Sequence, residues 1–79
     1  MAITVPQIRA ARALLKWRQR DLAEKSAMAA VSIRKIESGA VTPRKNSLAK
    51  IEVAFAEAGV GFSGASGVRL NETESALSQ

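Results

Sequence analysis

From Thr4 to Gly59 the apolar residues return every three or four positions, in short runs closed by residues that start or stop a helix. That rhythm is the strongest constraint on the chain, because a spacing near 3.6 gathers apolar groups on one side of a helix and cannot serve a strand. Thr4-Val5-Pro6-Gln7 opens the first run. Thr and Gln three apart fit a capping box, and Pro6 falls in the first turn, where a missing N–H is harmless. Ile8, Ala11 and Leu15 follow at helical spacing, with Leu14 and Trp17 widening the stripe, so a first helix is expected to about Lys16. A second is predicted over roughly 19–25, with Leu22 and Ala23 inward. A third occupies 29–38 and stops at Ser38-Gly39, since glycine enters left-handed backbone most cheaply. Thr42-Pro43 opens a fourth, whose stripe of Leu48, Ile51, Phe55 and Ala58 runs to a stop at Gly59.

Past Gly59 the character changes. "GVGF" and "GVRL" are short β-leaning runs around the turn-rich "SGAS", which predicts a hairpin or a pair of edge strands. The final "NETESALSQ" is polar and expected to fray. Three regions follow: a helical domain over 1–58, a β element over 59–70 and a flexible tail over 71–79. A chain of 79 residues makes one domain at most, and at that size only about 60% of the unfolded surface is buried. Cysteine and histidine are absent, so disulfides and the common zinc-ligand sets are excluded. A well-formed helical core, or a partner subunit, must supply the rest. The expected fold is mainly α, a bundle of four to five helices with a short C-terminal β-hairpin or strand. Its core is read as Ile8, Leu15, Leu22, Ile33, Ile36, Leu48 and Ile51, with Trp17 packing rather than stacking on bases.

Charge is divided unevenly along the chain. Residues 1–50 carry eleven basic side chains against three acidic ones, a net +8, whereas residues 51–79 carry a net −3. A basic front and an acidic rear suit a polyanion partner for one region only. No apolar run approaches the ~20 residues needed to cross a bilayer, and no basic-then-apolar leader opens the chain. A cytoplasmic setting and no membrane association are therefore expected. Catalysis is not: histidine, cysteine and tyrosine are missing, and Asp21, Glu24 and Glu37 lie on the predicted helices. No metal site and no cofactor are expected.

At about 100° per residue, Ile33, Ile36 and Glu37 fall on one side of the third helix. Ala30, Val31, Arg34 and Lys35 fall on the other. Two short helices joined by "SAMA", the second presenting a compact face of small and basic residues, are the parts of a helix-turn-helix. The stretch "WRQRDLAEKSAMAAVSIRKIESG" resembles the phage-repressor (Cro-like, xenobiotic-response-element) helix-turn-helix family. The likeness rests on Gln19, Leu22-Ala23, Ile33, Ile36-Glu37 and Gly39 in matching order and spacing, with Pro43 and Leu48 downstream; it covers about residues 5–58. The chain departs from the family at two positions. Ala27 stands where a turn former such as glycine is usual, and Ala29 where a capping Ser or Thr is usual.

The resemblance implies a lambda-repressor-like fold and a division of labour on DNA. Ala30, Val31 and Lys35, with Arg34 beside them, match the base readers. Ala30 and Val31 can press on thymine methyls or are ordinary helix filler; Arg34 and Lys35 can donate to guanine or merely grip phosphate. Arg18 and Gln19 are implied as backbone-phosphate contacts, and Arg44 and Lys45 are similarly placed at the fourth helix. Arg18 is either completed by a docked phosphate or leans away into solvent. Arg12 and Glu37 are implied as an internal salt bridge. The more apolar rear suits a two-fold contact through Phe55, Val60, Phe62, Val68 and Leu70, unless these cover the monomer's own core. The expected function is a sequence-specific, double-stranded-DNA-binding transcriptional regulator. It is expected to be a homodimeric repressor that inserts residues 29–38 into the major groove of a pseudo-palindromic operator. The alternative is an antitoxin or coregulator whose main role is binding a protein partner.

Overall fold

The computed structural model describes residues 3–64 and 67–70; the reading of 71–79 as a tail lies outside them. Four helices precede a hairpin: α1 (Val5–Leu15), α2 (Gln19–Ser26), α3 (Ala30–Ser38), α4 (Lys45–Glu57), β1 (Val60–Ser63) and β2 (Gly67–Leu70). The fold is the small, mainly α one expected, with the helix count at the lower of the two values.

The Thr4 hydroxyl accepts from the Gln7 N–H at 3.4 Å, and the Gln7 amide oxygen accepts from the Thr4 N–H at 2.9 Å. This reciprocal box holds the entry to α1. The first three helices all stop in left-handed backbone, at Lys16 (φ 58), Ala27 (φ 58) and Gly39 (φ 82). Each stop is clasped by a bond reaching back over the last turn: Trp17 N–H to the Arg12 carbonyl, Met28 to Ala23, Ala40 to Lys35. Only the third uses glycine, so the first two carry the strain of a Cβ in that region.

The centre is made by Ile8, Leu22, Ile33, Ile51 and Phe55, all fully buried. Leu15 and Leu48 are half-buried and pack at its edge. Trp17 stacks on Phe55 with ring centroids 5.6 Å apart, and Phe62 meets Phe55 edge-on at 5.9 Å. The antiparallel hairpin pairs Val60 with Leu70 and Phe62 with Val68, placing these four on one face against α1 and α4. The Gln7 side chain secures it, donating to the carbonyls of Gly64 and Gly67, both at 3.0 Å.

Four expectations change. Phe55 is fully buried and Val60 is 3% exposed, so neither can offer surface to a second subunit. They are withdrawn from the dimer contact because the hairpin folds back and seals them inside. Leu14 lies 42% exposed, off the stripe it was expected to widen. The second helix runs one residue further than expected, to Ser26, whose buried hydroxyl donates to the Leu22 carbonyl at 2.7 Å. The fourth starts at Lys45, after Arg44 as N-cap, so Pro43 precedes the helix instead of opening it.

Candidate nucleic-acid interface

The α2–α3 pair is joined by Ala27-Met28-Ala29. Ala29 is the N-cap of α3 and makes no side-chain cap bond, as its methyl group requires. The helix is held instead by its inner side. Ile33 and Ile36 are buried, and Glu37 is 7% exposed. Arg12 grips Glu37 with both forks of its guanidinium: Nε to Oε2 and Nη2 to Oε1, each 2.7 Å. Arg12 Nη1 reaches the Trp17 carbonyl at 3.0 Å, and Gln19 Nε2 adds a bond to Glu37 Oε1 at 3.2 Å. One carboxylate therefore ties α1, the head of α2 and the end of α3 together. A bidentate, mostly buried pair of this kind fixes orientation better than a surface ion pair does.

With that side anchored, the rest of α3 faces outward. Ala30, Val31, Arg34 and Lys35 are all exposed, Val31 to 44%. The two cations part company. Arg34 lines a shallow basin of about 260 Å³ toward α1, together with Arg9, Arg12 and Glu37. Lys35 lines a groove of about 350 Å³ toward α4, together with Met28, Thr42, Pro43 and Arg44. At about 100° per residue, Val31 and Ser38 project between them, while Ala30 lies on the other side of Arg34, toward Glu37. The exposed face is thus a low strip of small side chains with a basic flank on each side.

The helix starts differ electrostatically. At α2 the Asp21 carboxylate accepts from the Arg18 N–H at 2.7 Å and from Arg18 Nε at 3.4 Å. Its carboxyl is held below the ordinary 3.8, chiefly by that backbone bond, with the charges of Arg18 and Arg20 adding and desolvation opposing. Arg18 therefore has a local counter-charge in the free protein, and its position does not by itself call for a docked phosphate. Gln19 has one amide hydrogen committed to Glu37. At α4, Arg44 and Lys45 are exposed, no side chain caps the helix, and no acid lies in the first turn. The positive end of that helix is unopposed.

Arg9 escaped the sequence reading, although it lies three residues before Arg12 and so on the same side of a helix. Gln7 was read as half of a capping box alone; its bonds to the hairpin could not be seen locally. Among the described residues there is no cluster suited to a metal, and no described helix is long and apolar enough to cross a membrane. The sequence model of the Cro/C1-type helix-turn-helix family matches residues 8–58, from the first turn of α1 through the whole of α4. Comparison with curated proteins finds no match.

Proposed function

This chain belongs to the Cro/C1-type helix-turn-helix family of DNA-binding transcription regulators, and on that premise we propose that it is a homodimeric repressor. It lays α3 in the major groove of a pseudo-palindromic operator and occludes a promoter. The observation that carries this reading is the outward side of α3, where Ala30, Val31, Arg34 and Lys35 are all exposed on a helix whose other side is locked by Ile33, Ile36 and Glu37. A groove about 12 Å wide accepts such a helix. Ala30 and Val31 select thymine methyls by contact and exclude bulk, while Lys35 reaches a guanine edge or its neighbouring phosphate. Arg18, Arg44, Lys45 and the free amide hydrogen of Gln19 hold the backbone and set register without reading sequence.

One module spans few base pairs, so a dimer with α3 helices about 34 Å apart is the natural reader. Of the five residues expected at a two-fold contact, Phe62, Val68 and Leu70 pack on the core yet are only half-buried, and they are the ones with area left to offer a second subunit. Selection of bound fragments from random DNA, followed by footprinting, tests the proposal. An inverted repeat with half-sites one helical turn apart supports it, and recovery of no preferred sequence rejects it.

A second reading, binding of a protein partner, draws on a different observation. Val53 is 55% exposed in a largely apolar groove of about 300 Å³ with Ala27 and Ala49, rimmed by Lys25 and Lys50. That chemistry suits an acidic, amphipathic surface. Steep salt dependence of DNA affinity favours the repressor; weak binding without preference favours the partner.

A further inference from the structure

The basin between α1 and α3 holds more positive charge than its one carboxylate offsets. Arg9, Arg12 and Arg34 line it beside Glu37. Both oxygens of Glu37 are already taken, Oε2 by Arg12 at 2.7 Å and Oε1 by Arg12 at 2.7 Å and Gln19 at 3.2 Å. Arg9 and Arg34 are exposed, and among the described residues neither is paired with an acid. Two guanidiniums from different helices thus face one concavity with no anion left inside to satisfy them.

We infer that this basin seats a backbone phosphate of duplex DNA, gripped by Arg9 and Arg34, so that Arg34 positions the helix and does not read a base. The inference rests on the proposed docking of α3 in the major groove. A helix there has a phosphate strand on either side. Lys35 and Arg44 border the flank toward α4, and Arg9 with Arg34 borders the other. The guanidinium fork matches phosphate oxygens in bidentate fashion, which a pair of lysines would not do as well. The Glu37 pair contributes indirectly: with its carboxylate saturated, neither outer arginine can collapse onto it.

The test compares the double variant Arg9→Gln/Arg34→Gln with Lys25→Gln/Lys50→Gln, which loses equal charge from another groove. Anisotropy titrations use the selected operator and a random duplex of equal length. The first variant is expected to lose affinity for both duplexes by the same factor. Because the dimer loses four contacts, two in each protomer, the wild-type-to-variant affinity ratio should shrink about 150-fold between about 50 and 200 mM salt. The lysine variant should show almost no such change. Single variants, each removing two contacts from the dimer and expected to shrink the ratio about 12-fold over that range, serve if the double variant does not fold. A ratio that does not vary with salt overturns the inference, as does a loss confined to the operator, which makes Arg34 a base reader. Wild-type protein that binds neither duplex overturns the repressor reading along with it, an outcome distinct from failure of the variants alone.

Discussion

Ala27 and Ala29 are the two residues at which the helix-turn-helix is chemically least suited to its own geometry. Ala27 holds φ 58, ψ 40, a conformation that costs a non-glycine residue about 1 kcal/mol or more. Ala29 leaves the first N–H groups of α3 without a side-chain acceptor. Ala27→Gly is expected to stabilise the fold by about 1 kcal/mol and Ala29→Ser by about 0.5–2 kcal/mol, read as higher urea midpoints with unchanged slope. Glu37 presents the opposite case. Its removal strands Arg12, whose side chain is only 20% exposed, and frees the Gln19 amide. Glu37→Ala should cost about 2–3 kcal/mol, at or below the low end for one-sided loss of a buried pair because Arg12 can partly reach water. An unchanged melting temperature would exclude the strut. Asp21 supplies a pH test. Its carboxyl is depressed in the folded state from 3.8, so its contribution is present above that value and vanishes as pH falls through the lower folded one. The stability difference between wild type and Asp21→Asn should therefore narrow below about pH 4, measured by thermal melts across pH.

Among the elements, the hairpin depends most on a single distant side chain. Two strands alone are marginal in water; here they are fastened to α1 by Gln7, 1% exposed, through the carbonyls of Gly64 and Gly67. Gln7→Leu removes both bonds and half of the α1 capping box. A cost of about 1–3 kcal/mol is expected, with faster hydrogen exchange at the Phe62 and Val68 amides. Exchange that stays slow would show that apolar packing alone holds the strands. The close approach of Gly67 to Ser63 leaves no room for a Cβ, so the register tolerates no larger residue there. By contrast, α3 is steadied from its buried side, which leaves its outer residues free to vary without loss of fold.

At the level of the whole molecule, the net +8 of residues 1–50 against −3 for 51–79 fits binding by one face only. Arg18, Arg44 and Lys45 in each of two protomers amount to about six phosphate contacts, before Arg9 and Arg34 are counted. That corresponds to a slope of log affinity against log salt near −5, a loss of about a thousandfold between about 50 and 200 mM. A monomer on DNA should show about half that slope, so salt titration together with sedimentation at several concentrations decides the assembly.

Much of this was legible in the residue order. The capping box at Thr4 and Gln7, the stop at Gly39 and the split of α3 into an Ile33–Ile36–Glu37 side and an Ala30–Val31–Arg34–Lys35 side all depend on neighbours within a turn or two. The 3.6-residue period and cap chemistry encode these directly. The tertiary structure alone decided the rest. It sealed Phe55 and Val60 inside, bound Gln7 to a hairpin nearly sixty residues away and set Arg34 beside Arg9 of α1 but Lys35 beside Arg44 at the start of α4. Most of these outcomes turn on how distant segments cross, which no local pattern records. The family reading needs the outer side of α3 to stay open to a groove; coordinates showing Arg9 and Arg34 covered by another part of the chain would leave the α1 flank without its phosphate site.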